Sequence, residues 1–581
     1  RSMLPPEIQR IVLLIGLAAT SYLLILAWNE DMQADRSPIS YSEAPLVSDQ
    51  QTNAIDTSAI RPSIVDQRQS DSDIPDISLL SSDELPTSLA TNDAFSEVQA
   101  QTPESRLVVV TTPKLKVWID LLGGDIVRVQ LPKYPVALDL QDTPFLLLEQ
   151  NQNQTYIAQS GLIGPNGVDK NGQRPKYSTS VRELNMDDSD GQTDLVLSTL
   201  ADGVTVEKVF SFTADKYLLS VSYRLTNTSD DAFTAGMFTQ IKRDRKAVLA
   251  DDSFSLAPDP YLGGAITTLE TPYQKVEFDD LDEDALQAEN TGGWVAFLQH
   301  YFLSAWVAPA DQQIRYYARP TKDNNYLFGF TGPAKTLQPG ESGVWNANFY
   351  AGPKDQVELE AISEHLNLTV DYGFLWWIAI PLFKALTFFH DLVGNWGLAI
   401  ILLTLAVKIT LGWVSAKGYR SMANMRRVAP AMKKLQERYS SDREKLSKEM
   451  MALYKKEGAN PLGGCLPMLA PMPVFLALYW VLLESVELRQ APFMFWIEDL
   501  SAMDPYFILP LLMGASTYLM QSLNPQVGDP MQVKMMKLMP IMFTVLFLFF
   551  PAGLVLYWLV NNLLSIAQQT YIYKKVESER S

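Results

Sequence analysis

The apolar residues of this chain are distributed in two opposite ways, and this contrast constrains the fold more than any other feature. Residues 29–370 are polar with short, scattered apolar segments, whereas residues 373–573 contain long apolar runs. A further run without charges occupies residues 11–28. A helix of about 20 apolar residues is long enough to cross a bilayer. The sequence therefore predicts a membrane protein with a large water-soluble insert.

Composition excludes several functional classes. One cysteine rules out an internal disulfide and a thiolate metal cluster, and three dispersed histidines argue against a His-rich metal site. The formal net charge of −19 argues against a general nucleic-acid binder. The sequence contains neither a Walker-type phosphate loop nor a catalytic constellation. We therefore predict no catalytic residues, no metal, no cofactor and no enzymatic activity.

The first apolar run predicts a membrane anchor. Residues 11–28 exceed the usual core of a signal peptide and lack a small-x-small cleavage site, so an uncleaved anchor (residues 1–28) is favoured over a cleaved signal. Glu30 and Asp31 after it favour a non-cytoplasmic position for the chain from residue 29 onward. Residues 29–105 are acidic and poor in apolar residues, which predicts a disordered periplasmic linker.

The next region predicts an all-β domain. Residues 106–370 contain many short segments rich in Val, Thr, Tyr and Phe, several with alternating polarity. These segments lie at residues 107–112, 114–121, 125–131, 194–199, 205–212 and 217–227. We expect a large β-sandwich, closed by a helix at residues 355–365. Four apolar residues should share one side of that helix: Val357, Leu359, Ile362 and Leu366.

The membrane half begins with an aromatic-rich segment. Residues 371–391 include Lys384, His390 and Asp391, which favours an amphipathic helix in the headgroup region over a short spanning helix. A core at residues 392–573 comes next, and then a short tail at residues 574–581. The predicted spans of this core lie at residues 396–414, 465–483, 506–522, 538–550 and 553–573. For the last two, a single helix over 538–560 is the alternative to a break at residues 551–553.

Charge asymmetry between loops sets the predicted topology. Residues 415–457 carry twelve basic and five acidic residues, whereas residues 484–504 carry five acidic residues and only Arg489. Short cytoplasmic loops are rich in Lys and Arg. We therefore predict six transmembrane helices with both termini cytoplasmic and the β-domain in the periplasm of a bacterium.

Lys408 is the most informative residue of the spans. A lysine at mid-helix costs about 2.5–3.5 kcal/mol on insertion scales. Thr404 lies one turn away, and three residues of the last helix (Asn561, Ser565 and Gln568) share one stripe. Gln521 lies at the cytoplasmic end of another span. These side chains predict a hydrophilic pocket entered from the cytoplasm and closed toward the outside. Snorkelling of Lys408 and a polar helix–helix contact are the alternatives.

Residues 415–457 predict a cytoplasmic helical hairpin. The first helix has an apolar stripe, and residues 441–444 resemble a capping box that opens the second helix. The stripe consists of Met422, Met425, Ala429, Met432 and Leu435. Four residues form a candidate recruitment surface: Arg426, Arg427, Met450 and Tyr454. Anionic lipid, ribosomal RNA or acidic segments could contact the basic face, and a plain solvated face is equally compatible with it.

Several segments together resemble a known family. These segments are residues 395–397 (NWG), 460–465 (NPLGGC), 485–493 (SVELRQAPF) and 550–557 (FPAGLVLY). They resemble the YidC membrane protein insertases of Gram-negative bacteria, which belong to the wider YidC/Oxa/Alb family. The resemblance covers the whole membrane half, and the anchor, acidic linker and β-rich insert match the Gram-negative layout.

The resemblance implies a periplasmic β-supersandwich and a five-helix insertase core whose groove opens to cytoplasm and lipid. The groove charge of the family is commonly Arg, and Lys408 matches that position, so the charge is kept while the planar bidentate fork is lost. Tyr557 and Trp558 match aromatic positions along the exit path of the client, the protein being inserted.

The function implied is membrane protein insertion and chaperoning, alone or with the Sec translocon and its accessory subunits. The implied partners are nascent inner-membrane proteins, the ribosome or signal recognition particle pathway, and anionic lipids. Two other interpretations remain open: a small-solute transporter with Lys408 as substrate counter-charge, and an assembly factor or sensor led by the β-domain.

Overall fold

The computed structural model describes residues 73–75, 104–169, 172–245, 261–439, 442–457, 471–524 and 530–578. The predicted anchor at residues 11–28 and most of the predicted linker lie outside these ranges. In the described part, strands run between residues 107 and 353, and helices occupy the chain from residue 356 onward. One short helix, α1 (Phe278–Glu283), interrupts the strands.

Nineteen strands lie in the described residues. In chain order they are β1 (Leu107–Thr111), β2 (Lys116–Asp120), β3 (Asp125–Pro135), β4 (Pro144–Gln150), β5 (Thr155–Ile163), β6 (Glu183–Asn185), β7 (Gln192–Ala201), β8 (Val204–Thr213), β9 (Leu218–Thr226), β10 (Phe233–Asp244), β11 (Gly263–Ile266), β12 (Gln274–Val276), β13 (Leu286–Thr291), β14 (Trp294–Leu298), β15 (Phe302–Val307), β16 (Gln313–Pro320), β17 (Asn325–Thr331), β18 (Lys335–Leu337) and β19 (Ser342–Pro353). Each of the six predicted segments overlaps a strand, so the period-2 pattern located them correctly.

The strands form two sheets. The larger sheet has the order β13-β16-β17-β10-β5-β4-β3-β2-β1-β6, with β18 beside β10. The smaller sheet has the order β12-β11-β14-β15-β19-β9-β8-β7. The pairings are antiparallel except that of β1 with β6. This is the large β-sandwich that the sequence predicts.

In most strands, side chains alternate between the core and the solvent. In β7, Leu195 and Leu197 are buried, whereas Val196 between them is exposed. Strands β5 and β17, by contrast, are buried along their whole length. Because successive side chains point to opposite faces, the outer face of the larger sheet must be covered at its centre.

The core between the sheets combines aromatic packing with satisfied polar groups. Trp294, Trp306 and Trp345 are among its largest fully buried side chains. The indole Nε1 of Trp306 donates to the carbonyl of Gln240 at 3.0 Å. Tyr156 and Ser304 share a hydrogen bond of 2.7 Å between their hydroxyls. Both bonds join a strand of the larger sheet to a strand of the smaller sheet. They also stabilise the core, because a buried polar group without a hydrogen-bond partner costs free energy.

The described helices after the sandwich number nine. They are α2 (Gln356–Ile362), α3 (Trp376–Val393), α4 (Trp396–Thr410), α5 (Gly412–Arg438), α6 (Arg443–Glu457), α7 (Met472–Glu484), α8 (Ile508–Ser522), α9 (Pro530–Phe547) and α10 (Ala552–Ser578). Helix α10 is central, because it packs against α4, α5, α7 and α8.

Helix α2 is shorter than predicted and is oriented differently. Asp355 caps it by accepting hydrogen bonds from the backbone amides of Val357 and Glu358. Leu359 and Leu366 are fully buried, but Val357 is 77% exposed. The prediction that Val357 shares the buried side was therefore wrong. Val357 lies in the first turn, beside the cap and outside the contact with the sandwich.

Few helices of the membrane half pass a span test by length and composition. Of the described residues, 373–393 do so alone, and α4 passes only together with residues 412–432, across a bend of 66°. Helix α7 and residues 537–547 are apolar but shorter. Residues 458–470, which include the 460–465 motif and the start of the span predicted at 465–483, lie outside the described ranges.

Two chain breaks position the helices around α10. Helix α4 ends at Thr410, so the predicted span to residue 414 is two helices. Helices α9 and α10 are separate, and Met503 forms an isolated bridge with Pro551 between them. The amides of Ala552 and Gly553 donate to the carbonyls of Ala502 and Leu500. The break predicted at residues 551–553, favoured over one long helix, is therefore present, but it lies at residues 548–551, since Ala552 and Gly553 already belong to α10.

Candidate functional site

Lys408 lies at the contact between α4 and α10. Its ammonium donates to the hydroxyl of Ser565 at 2.6 Å and to the amide oxygen of Asn561 at 3.3 Å. Asn561 and Ser565 are one turn apart on α10, so both reach the same amine. Lys408 is only 9% exposed. Among the described residues its partners are neutral oxygens, with no carboxylate paired to it.

One further residue extends this polar face. Thr404, one turn before Lys408, is buried, and its hydroxyl donates back to the carbonyl of Ile400 at 2.6 Å. The hydroxyl oxygen can therefore still accept a hydrogen bond. Tyr419 of α5 packs against Ile572 and Tyr573 of α10. Helices α4, α5 and α10 thus all contact one another in this region.

Gln568 and Gln569 bond to different helices. Gln568 donates to the carbonyl of Gly412 at 3.1 Å, next to the break between α4 and α5. Gln569 donates to the amide oxygen of Asn524 at 2.7 Å and to the hydroxyl of Tyr573 at 2.8 Å. Gln521 lies near the end of α8 and is half-buried. The C-terminal half of α10 is therefore polar on more than one side.

A second buried polar contact connects α10 to α8. The amide of Asn562 donates to the hydroxyls of Ser516 at 3.0 Å and Thr517 at 2.8 Å. All three residues are buried. This contact is a polar helix–helix interaction with its hydrogen bonds made inside the bundle. It is distinct from the Lys408 site, which holds a charge.

The outward side of the same helices is apolar. Leu405 on α4 is 42% exposed, and Ile409 and Trp413 are more exposed still. These side chains lie within a turn or two of Lys408 but are exposed, whereas Lys408 and Thr404 are buried. Such an arrangement suits a helix that faces lipid on one side and a polar site on the other.

Tyr557 and Trp558 belong to an aromatic cluster. Tyr557 is fully buried, and Phe475 lies between it and Trp558, with ring centroids 6.4 Å and 4.7 Å away. Trp558 is half-buried and also contacts Phe547 at 5.5 Å. The rings join α10 to α7 and α9, and Trp558 forms the outer edge of the cluster.

The helical hairpin is present as α5 and α6. Met425, Val428 and Met432 pack against Met450, Leu453 and Tyr454. Tyr419 and Met422 pack instead on Ile572 and Tyr573 of α10. Arg426 and Arg427 are exposed, and the guanidinium of Arg426 lies 5.8 Å from the Tyr573 ring. The apolar stripe of α5 therefore serves two contacts, one within the hairpin and one with the bundle.

The N-terminal cap of α6 differs by one residue from the predicted capping box at residues 441–444. Ser441, predicted to cap it, lies outside the described residues. Asp442 accepts a hydrogen bond from the amide of Lys445 at 3.0 Å through its side chain, and another from Leu446 at 3.0 Å through its carbonyl. Asp442 therefore occupies the capping position.

The sandwich contacts the helices directly through buried polar groups. Lys354 pairs with Glu484 at the end of α7 at 3.7 Å, and both side chains are buried. His300 Nε2 lies 2.8 Å from the carbonyl of Leu483, and burial lowers the pKa of His300 to about 4. The neutral ring therefore donates this hydrogen bond. Arg489 donates to the carbonyls of Pro135 and Val136.

Comparison with known proteins is decisive. The family model for the YidC periplasmic domain matches residues 107–385, and that for the 60Kd inner membrane protein matches residues 388–579. The membrane protein insertase YidC of Hahella chejuensis is 45% identical over 579 residues and covers 98% of both chains. The chain belongs to the YidC family of membrane protein insertases. The YidC of Cellvibrio japonicus is 47% identical, again over 98% of both chains.

A solved structure of an active YidC insertase aligns with 81% of this chain and 92% of its own, at 18% identity and a TM-score of 0.37. Membership of the YidC family confirms the resemblance predicted from the sequence motifs. The β-sandwich is the family's periplasmic domain, and the chain is an inner-membrane protein with a helical C-terminal region.

The structure brings some predicted YidC site residues together and separates others. Lys408, Asn561 and Ser565 meet, with Thr404 on the same face and Gln568 close to the helix break. Gln521 is at the end of α8. Tyr557 and Trp558 lie in the aromatic cluster, nearer the N-terminus of α10 than Asn561 and Ser565. Arg426 and Arg427 lie on the outer side of the hairpin, whereas Met450 and Tyr454 form part of its inner contact.

Sequence reasoning missed several YidC residues that hold the site in place. Tyr419 packs on α10, and Ser516 and Thr517 accept hydrogen bonds from Asn562, yet nothing in their spacing distinguishes them from other hydroxyls. His300 is one of three dispersed histidines, and Glu484 is one of five acidic residues in a predicted loop, so the sequence distinguishes neither. An acidic residue at the end of an apolar run could have indicated a buried partner, but the sequence does not reveal that Lys354 supplies it.

Proposed function

We propose that this chain inserts proteins into the bacterial inner membrane and helps them fold, through a hydrophilic groove at the contact of α4 and α10. The observation that carries this proposal is the ammonium of Lys408, held by Asn561 and Ser565 with no carboxylate paired to it among the described residues. The groove consists of Lys408, Thr404, Asn561, Ser565, Gln568 and Gln521, and it opens to the cytoplasm and to lipid.

Electrostatics explains why an unpaired amine suits a transient client. A cation inside a helix costs about 2.5–3.5 kcal/mol on insertion scales. Neutral oxygens lower that cost, but they leave the charge uncompensated. An acidic or strongly polar flank of a client can compensate it while it crosses. Lysine offers a point charge without the bidentate fork of arginine, so the site attracts carboxylates without fixing their geometry.

The apolar part of the client takes a separate route. We infer that it moves along the exposed apolar side of the bundle, past Tyr557 and Trp558, into lipid. Tyr557 would support the wall from inside, and Trp558 would present its accessible edge. Transfer of apolar surface contributes about 25 cal/mol per Å². This free energy drives the step, and no covalent chemistry is required.

The proposed topology has six spans, of which the last five form the insertase core and the first is the anchor at residues 11–28. Residues 371–391 are the interfacial helix in this arrangement. The hairpin of α5 and α6 is cytoplasmic, because it carries the excess of basic residues. Both ends of the chain lie on the cytoplasmic side, and the sandwich lies in the periplasm.

The proposed partners are those that this arrangement can contact. Nascent inner-membrane proteins are the clients, and the Sec translocon with its accessory subunits shares some of them. The ribosome or signal recognition particle pathway delivers clients to the hairpin. Anionic lipids contact its basic face, since each Lys or Arg near an anionic surface contributes about 1 kcal/mol.

Reconstitution tests the function directly. The full chain in liposomes should insert a short two-span client, measured by protection of its translocated loop from external protease. The expected yield is at least about tenfold above that of protein-free liposomes. The reason is that movement of the client's polar flank across the bilayer is slow without a protein to assist it. A small-solute flux measurement on the same liposomes is the control.

The two measurements separate the proposed function from the alternative. Insertion without solute flux agrees with an insertase. Flux of a small anionic solute without protection of the client would instead support a transporter with Lys408 as counter-charge, and would contradict the proposal.

The hairpin should matter for delivery and not for the groove. Deleting residues 425–455, closed with a short Gly-Ser linker, removes the hairpin contact but keeps the packing of Tyr419 and Met422 on α10. Insertion from ribosome-bound nascent chains should fall about tenfold, because the basic recruiting surface is lost. Insertion of a purified client added without ribosomes should stay within about twofold of the unaltered protein.

Equal loss with both forms of the client would show that the deletion damages the groove. No loss with ribosomes would show that recruitment lies elsewhere.

A further inference from the structure

A short piece of the acidic linker lies on the outer face of the larger sheet. Asp73 pairs with Lys242 of β10, and the carbonyl of Asp73 accepts a hydrogen bond from Gln240 at 2.8 Å. Ile74 and Pro75 are both buried. Asp73–Pro75 thus contacts the sheet through one ion pair, one backbone hydrogen bond and two apolar side chains, although β1 begins only at Leu107.

The polar part of this contact is built into the sheet. Gln240 accepts from the hydroxyl of Tyr317 at 2.7 Å through Oε1, and its Nε2 donates to Gln159 at 2.8 Å. Gln159 in turn donates to Asp125 at 2.8 Å. These bonds fix which end of the Gln240 amide faces outward. The fixed Nε2 can then donate to the carbonyl of a segment lying on the sheet.

The apolar part of the contact is a small hydrophobic site that holds the Ile74 side chain. Ile74 is 8% exposed and packs with Ile163, Phe238 and, at the edge, Ala334. Phe238 is paired across the sheet with Gly161. A Cβ on Gly161 would clash with the Phe238 ring. Because Gly161 has no side chain, the Phe238 ring can lie against β5. In this position the ring packs against Ile74.

Residue types in the segment match these features one by one. Asp73 supplies a negative charge to Lys242, and Ile74 supplies a branched apolar side chain. Pro75 has a fixed φ and restricts the conformation of Ile74 before it. A segment restricted in this way loses less conformational entropy when it binds to a sheet face.

We propose that this face of β10 and β5 is a peptide-binding site that takes an acidic–aliphatic–proline segment, occupied in cis by Asp73–Pro75 of the chain's own linker. The bound segment fixes one point of the linker on the periplasmic domain. The tether to the N-terminal residues therefore leaves the domain at Asp73 and not at the start of β1.

The contact is small enough to be reversible. It uses three residues, and the Asp73 side chain is 39% exposed. Such a contact alone corresponds to weak binding, but covalent connection supplies an effective concentration of about 1 mM. The linker would therefore occupy the site most of the time and still exchange with a free peptide of the same chemistry.

The test uses the full chain in detergent and a synthetic fluorescent peptide of residues 70–78 (SDSDIPDIS). In the opened variant, Asp73→Lys with Ile74→Ser removes the native occupant without altering the sheet. This variant should bind the peptide at least about tenfold more tightly than the unaltered chain does, because the tethered segment no longer competes. A matched control with Ile55→Ser and Asp56→Lys, the same residue types elsewhere in the linker, should behave as the unaltered chain.

Charge exchange identifies the site. For this test the opened variant carries Asp73→Ser in place of Asp73→Lys, so that no lysine in cis can pair with the new glutamate. Adding Lys242→Glu to this variant should reduce binding of the peptide at least about tenfold, since it places like charges together. A peptide with Lys at the position of Asp73 should restore binding to that protein, which also shows that the sheet is still folded.

Three results would overturn the proposal. They are no peptide binding by the opened variant, equal binding of a scrambled peptide, and equal binding by the unaltered and opened chains. The last would show that the linker does not occupy the site.

Discussion

Replacing Arg174 with Met should lower the free energy of unfolding of the periplasmic domain by about 3–5 kcal/mol, because it leaves two buried carboxylates without their partner. The guanidinium pairs with Asp125 and Asp169 and donates to the carbonyl of Ser160 at 2.9 Å. Burial alone would lower the pKa of Arg174, but the two carboxylates raise it above its usual value. Hydrogen exchange of β5 and β8 in the full chain measures the loss.

A matched variant separates burial from charge. Arg315 pairs with Glu289 at 2.7 Å, but the Glu289 side chain is 57% exposed. Arg315→Met should change the free energy of unfolding by about 0.5 kcal/mol or less, as exposed ion pairs do. Adding Asp125→Asn and Asp169→Asn to Arg174→Met should recover part of the loss. Equal effects of the two arginine variants would show that the cluster is not the cause.

The strands of the sandwich could be located from the sequence where one face of the strand is exposed to solvent. Alternation at Leu195 and Leu197 locates β7 without knowledge of its neighbours. Strands such as β5 lack this alternation, because both of their faces are buried. Their pairing depends on Arg174, Asp169 and the residues that cover the outer face, and these contacts join positions far apart in the chain. No local period in the sequence reports them.

The Lys408 site was partly predictable for a similar reason. The spacing of Asn561 and Ser565 puts them on one stripe of a helix, and a lysine in an apolar run needs polar partners. The 66° bend after α4 was not predictable, because a glycine such as Gly412 is also common in transmembrane helices that do not bend. The partners of Asn562 on α8 also depend on how two helices pack, which spacing within one helix does not encode.

The junction between the sandwich and the helices was not predictable at all. The ion pair of Lys354 with Glu484 and the hydrogen bond of His300 to Leu483 connect the sandwich to the end of α7. Glu487 is half-buried nearby, and desolvation raises its pKa to about 7. These groups come from segments far apart in the chain, so only the folded protein reveals their contact.

Lys408→Gln should reduce insertion of clients with acidic translocated flanks by about ten- to a hundredfold. The variant keeps a polar side chain that can still bond to Asn561 and Ser565, but it removes the charge. At about 1.4 kcal/mol for a tenfold change in rate, a hundredfold effect requires about 2.8 kcal/mol, which is less than the about 4 kcal/mol by which two unit charges about 4 Å apart attract at an effective dielectric constant of about 20. Protease protection of the translocated flank in proteoliposomes measures the effect.

Controls on both sides of the reaction make the test specific to charge. Lys408→Arg should stay within about threefold of the unaltered chain, since it keeps the cation. Lys384→Gln changes an exposed lysine of another apolar helix, α3, and should have little effect. A client with an uncharged flank should be inserted nearly as well by Lys408→Gln as by the unaltered protein. If acidic and uncharged flanks lose insertion equally, Lys408 stabilises the bundle and does not attract the client.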